Sequence, residues 1–319
     1  MPVRPFRFLA EARTAMTGRE LGETARQAED LGIDVLVVPD HLIDQLAPIP
    51  AMATIAAVTE RLRVAAFVLN NDLRHPAVLA QDLASIDVLS EGRLEVAIGA
   101  GWNRPEYDAI GVRYEAVRVR QDRLAEAIVV LKGCFAPGPF SFAGRHYTIT
   151  DYDAGPAPVQ RPHPPIFIGG GGRRTLTLAA AQAQIVGLAP RLLRDPAGRP
   201  VGDPGSITLA ATAEKIGWVR EAAGKRFAEL ELNVYPSMAP VQLTDHPLRV
   251  AEDLSVQLAA ASGVTVPAQD LLDSPHIFLG TVDSLCEKFL RLREELGISS
   301  IMIGQIHELA PVVQRLAGT

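Results

Sequence analysis

Three short stretches of this 319-residue chain place chemically capable side chains beside the ends of apolar runs. The first is Asp40-His41, which follows VLVVP directly. A histidine at such a strand end is a candidate general acid or base, because its ordinary pKa of about 6.5 lies close to working pH. The other reading has Asp40 capping the next helix and His41 packing beside it. The second stretch is IGAGW, residues 98–102, whose turn continues into Asn103 and Glu106. Gly101 lets a flat ring approach the backbone, and Trp102 can wall a pocket. A tight turn with a core tryptophan is the alternative.

The third stretch, IFIGGGGRRTLTLAA, carries the sharpest logic. A strand ends in glycines, Gly170, Gly171 and Gly172 among them, and a helix begins near Arg174 or Thr175. Free backbone N–H groups at a helix start bind phosphate, and glycines permit the approach. Arg173 and Arg174 add charge-assisted donors beside it. The pattern is neither a dinucleotide fingerprint nor a Walker loop, so it predicts a mononucleotide-type phosphate site. A flexible glycine loop is the competing reading. Other chemistries find less support. The seven histidines show no HxH or HExxH spacing, so no metal site is expected. A serine hydrolase would need a GxSxG elbow, which is missing. His75 before Pro76 reads as structural, whereas His276, ahead of a strand-like run and a Thr281 cap, is placed within reach of the strand ends.

The elements that must position these groups alternate along nearly the whole chain. Short apolar runs at 7–10, 35–38, 64–69, 94–99, 166–169, 185–188, 231–235 and 300–303 read as eight strands. Amphipathic stretches at 18–31, 49–60, 77–89, 114–132, 174–182, 212–224, 247–262 and 282–296 read as helices, with one more at 308–316. Continuous apolar runs imply strands buried on both faces, hence parallel ones. Eight such units predict an α/β fold of the (β/α)8 TIM-barrel class, a single domain over 1–319. Its active face would be the C-terminal ends of the strands. Two segments break the rhythm and read as insertions after strands four and six. Residues 133–165 contain a hairpin turning near Ala143–Gly144, and residues 189–206 form a Pro/Gly/Asp loop of the kind that serves as a lid.

Composition sets the outer bounds. Hydrophobic residues make up 48% and charged residues 21%, which supplies ample core. A net charge of −6 argues against a nucleic-acid partner. Charges interrupt every long apolar run and the first residues lack a signal-peptide core, so neither membrane association nor export is expected. Cys134 and Cys286 lie far apart without CxxC partners and read as two buried thiols in a reducing cytoplasm.

With these residues in place, the chain resembles the bacterial-luciferase-like flavin and deazaflavin oxidoreductases. Arg74-His75-Pro76, SIDVLSEGRLEVAIGAGW with Glu106 and Gly111, the hairpin, PVQRPHPPIFIGGGG and LGTVDSL follow the family order over nearly the whole chain. TAEKIGWVREAAGKRF followed by LELNV is similar to an actinobacterial branch assigned to coenzyme F420. The resemblance implies a barrel that holds an isoalloxazine or deazaflavin ring at its C-terminal mouth. Asp40 and His41 would lie next to the ring, with His41 matching a proton-transfer residue of the sugar-phosphate dehydrogenase relatives. Gly171 and Gly172 match the phosphate turn, and Asn70 and Asn71 would bond the ring's polar edge. A non-prolyl cis peptide is expected within 65–68, and a homodimer through outer helices. The chain also departs from the pattern. The dehydrogenase relatives carry a glutamate directly after GxG, where this chain has Trp102, which leaves Glu106 as the substitute. Gln184 stands where the family commonly has Asp.

The resulting expectation is coenzyme F420-dependent hydride transfer with a small organic substrate, a carbonyl, enone or imine, catalysed through His41 and Glu106. An FMN-dependent monooxygenase using reduced flavin and oxygen is the alternative. A barrel without cofactor that serves as a binding or assembly protein is the third.

Overall fold

The computed structural model describes residues 4–13, 17–194 and 200–319. Strand and helix alternate as the apolar pattern predicts. The buried strands are Arg7–Glu11, Val35–Val38, Arg63–Ala66, Val96–Gly99, Ile166–Gly170, Ile185–Leu188, Glu231–Val234 and Ile298–Met302. Five of them, among them Val35–Val38 and Ile298–Met302, are buried at every residue, which explains why they read as continuous rather than alternating runs. Helix boundaries follow local chemistry. Proline occupies the first turn of Pro48–Val58, Pro76–Leu89 and Pro247–Ser262. Thr208 and Thr281 cap Leu209–Ala223 and Val282–Leu296 through their hydroxyls. Gly263 and Gly297, with φ of 74° and 72°, take the left-handed turn that ends the two helices before them.

The chain divides into two units. A mainly N-terminal unit comprises Ala12–Arg26 and Val35–Phe167. In it Val35–Val38 pairs in parallel with Arg63–Ala66, and Leu69–Asn70 with Val96–Gly99. A bridge between Val64 and Leu94 joins the two pairs. The expected strand 64–69 is interrupted at Phe67–Val68, whose peptide bond is cis, within the span the resemblance implied. The insertion at 133–165 contains an antiparallel hairpin of Phe140–Ala143 and Thr148–Tyr152. Its turn is anchored by the Glu126 carboxylate, which accepts backbone N–H groups of Arg145, His146 and Tyr147 at 2.8, 2.8 and 3.2 Å.

The mainly C-terminal unit comprises Met1–Glu11, Gln27–Asp34 and Ile168–Thr319. Its parallel strands run in the order Arg7–Glu11, Ile298–Met302, Glu231–Val234, Ile185–Leu188. The insertion at 189–206 is partly built as an antiparallel ribbon of Leu192–Arg194 with Pro200–Gly202; residues 195–199 lie outside the described residues. A third excursion, which the apolar pattern did not reveal, follows Glu231–Val234. It contains the helix Ala268–Asp273 and a two-strand pairing of Gln242–Leu243 with Leu279–Gly280. Ile207, Ala251, Leu254, Val266, Leu271, Ile277 and Leu279 give it a small core of its own. Its short segments lack the length that periodicity needs to show. Cys134 and Cys286 are buried free thiols, and among the described residues no helix is long and apolar enough to cross a membrane.

Candidate active site

In the N-terminal unit the strand Val35–Val38 runs straight into Pro39, Asp40 and His41. Gln45 fixes this turn by donating from Nε2 to the carbonyls of Pro39 (2.8 Å) and His41 (3.2 Å). The Asp40 carboxylate is buried and accepts both Arg74 guanidinium nitrogens, at 2.7 and 3.0 Å, together with the Asn70 backbone N–H at 2.8 Å. With three donors on its two oxygens, Asp40 does not cap a helix. It ties the end of one strand to the end of the next.

His41 meets Glu106. His41 Nδ1 lies 2.8 Å from Glu106 Oε1, which also accepts Asn103 Nδ2 at 2.7 Å. The carboxylate side chain is 7% exposed and the imidazole 27%, so a buried anion orients a partly open ring. An ionised carboxylate only accepts, which places the proton on Nδ1 and leaves Nε2 as the exchangeable nitrogen. Trp102 packs edge-on against the ring, with centroids 5.7 Å apart at 82°. The tryptophan is itself half exposed. Trp102 is therefore not the core tryptophan of the alternative reading.

Glu106 reaches His41 because of a short helix, Arg104–Ile110, that the sequence reading left out. Asn103 precedes it, Pro105 occupies its first turn, and Gly111 closes it at φ 72°. An Asn followed three residues later by Glu, with Pro between and Gly beyond, is a start-and-stop signal that was available. The next residue, Tyr107, is fully buried. Its hydroxyl lies 2.9 Å from Asn70 Oδ1 and 3.1 Å from Asp72 Oδ2. Burial, and then the Asp72 carboxylate, push this phenol well above the usual tyrosine range, so it is a donor at working pH. These contacts close a ring: Asp40 holds Asn70, Asn70 holds Tyr107, and the neighbouring Glu106 holds His41.

Gly101, with φ 72°, serves this ring directly. A Cβ there would sit 1.8 Å from the Tyr107 hydroxyl and 2.6 Å from Asn70 Oδ1, so the glycine makes room for Tyr107. Arg120, buried and not singled out by the sequence, donates to the carbonyls of Ala100 (3.2 Å) and Gly101 (3.3 Å) and stacks on Tyr114 at 3.9 Å. Asn71 is buried and donates to the Tyr147 hydroxyl at 3.3 Å, while its Oδ1 has no partner.

In the C-terminal unit Gly170, Gly171 and Gly172 lead into the helix Arg173–Gln182, with Gly172 at its N-cap. The three are glycines for different reasons. A Cβ on Gly170 would meet Thr175, and one on Gly171 would lie 2.2 Å from the Pro190 carbonyl oxygen. Gly172 faces open space. The first turn of any helix carries the positive end of its dipole, which favours an anion there. Arg173 pairs on the surface with Glu221 at 2.7 Å, and Arg174 follows it in the first turn. His276 is fully buried, its Nδ1 3.2 Å from the Tyr235 carbonyl, and burial, then Lys215, push its pKa down to about 3. It stays neutral and out of reach of solvent. His75 caps its helix by accepting the Ala77 N–H at 3.3 Å, as the structural reading expects. Among the described residues no three His, Cys, Asp or Glu side chains gather as a metal site.

Residues 3–198 match the family model described as luciferase-like monooxygenase. The chain belongs to that family. Luciferase-like relatives include an FMNH2-dependent dimethylsulfone monooxygenase of Pseudomonas putida, 40% identical over 124 residues, which are 39% of this chain and 34% of that protein. An F420-dependent glucose-6-phosphate dehydrogenase of Kineococcus radiotolerans is 34% identical over 176 residues, 52% of this chain and 50% of that protein. The chain thus spans half or less of the length of either relative. Among solved structures, the coenzyme F420-dependent tetrahydromethanopterin reductase of Methanopyrus kandleri superposes with a TM-score of 0.75 at 16% identity, covering 98% of both chains. The fold is the (β/α)8 barrel of these luciferase-like enzymes, whose members named above depend on reduced FMN or coenzyme F420. In the C-terminal unit the open Gly172 face at a helix N-terminus suits a phosphate, and in the N-terminal unit the buried, unpartnered Asn71 Oδ1 suits a ring N–H.

Proposed function

We propose that the enzyme uses coenzyme F420 to move a hydride to or from a small organic carbonyl, enone or imine, with His41 exchanging the balancing proton. The observation that carries this reading is the His41–Glu106 pair at 2.8 Å. Reducing a carbonyl requires a hydride at carbon and a proton at oxygen. The deazaflavin, when bound, supplies or accepts the hydride. His41 supplies or accepts the proton at Nε2, because Glu106, itself fixed by Asn103, holds the ring by its other nitrogen. Glu106 also stabilises the imidazolium that forms whenever Nε2 takes a proton. Asp40, Asn70 and Tyr107 keep the two partners in place. Gly170, Gly171 and Gly172 with Arg173 and Arg174 would bind the coenzyme's phosphate and acidic tail, and Asn71 the polar edge of its ring. Exposed Leu42, Ile43 and Trp102 flank His41 with apolar surface, which suits a substrate less charged than a sugar phosphate.

A second reading, a monooxygenase that takes up reduced FMN, is favoured by the 40% identity to the dimethylsulfone enzyme. Fluorescence-quench titration of the purified protein with F420 and separately with FMN tests the choice. Binding of F420 at least about tenfold tighter than FMN, a difference of about 1.4 kcal/mol, supports the hydride-transfer reading. The reverse preference, with oxygen consumption on adding reduced FMN, overturns it.

A further inference from the structure

The ribbon that follows Ile185–Leu188 is closed at its base by one buried side chain. Lys215, in the helix Leu209–Ala223, is 1% exposed and its Nζ donates to the carbonyls of Ala189 at 2.6 Å and Ser206 at 2.7 Å. Between those two residues the base is stitched further. The Arg191 N–H bonds Ser206 Oγ at 2.8 Å, and the Asp203 N–H bonds the Arg191 carbonyl at 2.8 Å. Arg191 also pairs with Asp203 at 3.3 Å.

The same base abuts the glycine turn. Ala189 donates its N–H to the Gly170 carbonyl at 3.1 Å, and the Pro190 carbonyl oxygen fills the space where Gly171 would carry a side chain. Burying an ammonium group is costly, and here burial, then Arg191, pull its pKa down to about 8 against the opposing pull of Asp203 and Glu214. A methionine would fill the volume without that cost. It could not draw two backbone carbonyls from opposite ends of the ribbon to one point.

We infer that Lys215 is a positioning residue: by tying Ala189 to Ser206 it holds Pro190 against Gly171 and sets the backbone N–H groups around Gly172 for an anionic group. The ligand half of this inference rests on the phosphate role proposed above for the glycine turn. The mechanical half does not.

The test uses the full chain carrying Lys215→Met, with Lys215→Gln, an uncharged side chain that keeps a donor, as the milder variant should the first fail to fold. Hydrogen exchange is followed in the protein without added cofactor, in the segments 170–174 and 189–194. Affinity for F420 and for FMN is measured in parallel, with kcat at saturating cofactor. Loss of a hydrogen bond from a charged donor predicts exchange about tenfold faster in both segments and cofactor affinity about tenfold weaker, with kcat moving far less than KM. Faster exchange confined to 189–194, with the glycine turn unchanged, overturns the inference. Coupled exchange in a protein that binds neither cofactor upholds the positioning role and overturns the phosphate reading instead.

Discussion

Substituting Glu106 by glutamine isolates the charge that faces His41 while keeping the shape of the side chain. In the wild type, Glu106 Oε1 receives His41 Nδ1 at 2.8 Å and Asn103 Nδ2 at 2.7 Å. An amide oxygen can still accept both, so the geometry is expected to survive. A hydrogen bond to a charged group contributes about 1.5–3 kcal/mol against about 0.5–1.5 kcal/mol for a neutral one. Because the imidazole is 27% exposed, solvent screens the pair and the lower end applies, a loss of about 1–1.5 kcal/mol. The rate should therefore fall about tenfold. Removing the proton carrier itself, by His41→Ala, should cost about 10²-fold or more, with cofactor affinity held within about tenfold. The decisive measurement is the double variant. If Glu106 acts only through His41, then His41→Ala with Glu106→Gln should be no slower than His41→Ala alone. The assay follows oxidation of reduced F420 by 2-cyclohexenone as a probe enone, with the coenzyme KM determined alongside. A double variant in which the two losses multiply would refute the reasoning, as would a Glu106→Gln rate equal to wild type.

Four other perturbations probe the scaffold. Gly172→Asp places a carboxylate in open space at a helix N-cap, so thermal stability should hold or rise while affinity for the anionic cofactor drops about tenfold or more; unchanged affinity removes the phosphate from this turn. Gly171→Ala should do the opposite, costing about 1–3 kcal/mol in denaturant unfolding because its Cβ would lie 2.2 Å from the Pro190 carbonyl, and a wild-type midpoint would contradict the packing described. Asp40→Asn leaves Arg74 without its carboxylate; since that arginine is 23% exposed, a loss of about 2–3 kcal/mol is expected, below the full penalty for a wholly buried pair. His276, held neutral with its pKa near 3, takes no proton when folded but does so when unfolded. Stability should thus decline as pH falls below about 6.5, by about 1.4 kcal/mol per unit at most, and His276→Gln should abolish that part of the slope in urea melts at pH 7 and pH 5.

The eight strands, the ends of most long helices, the hairpin and the positions of Asp40, His41 and the glycine turn were legible because each is written in local pattern: continuous apolar runs, proline starts, glycine stops. What the sequence withheld is long-range. Gly101 and Gly171 look like glycines that welcome a ligand, yet the space beside them is taken by the Tyr107 hydroxyl and the Pro190 carbonyl. Arg120 and Tyr107 carry no local signature, since their meaning lies in which carbonyl or amide the fold brings to them. Asp40 and Arg74 are each visible, but their pairing across 34 positions is not.

Trp102, at the position where the resemblance to the dehydrogenase relatives implies a glutamate, shows how the two kinds of information combine. Read linearly, the substitution removes a proton-transfer group. In three dimensions the helix Arg104–Ile110 turns back and delivers Glu106 to His41, while Trp102 becomes the edge-on wall of the same imidazole. A carboxylate supplied by a two-turn helix needs an anchor that a strand end would not, because so short a helix has little stability of its own. That anchor is Tyr107, one residue on, buried against Asn70 and Asp72. Asn70 is in turn held by Asp40, the residue before His41. The polar network beneath the site therefore fits a carboxylate arriving from this helix, and Asp40, which stands next to the histidine in sequence, acts on it only through that circuit.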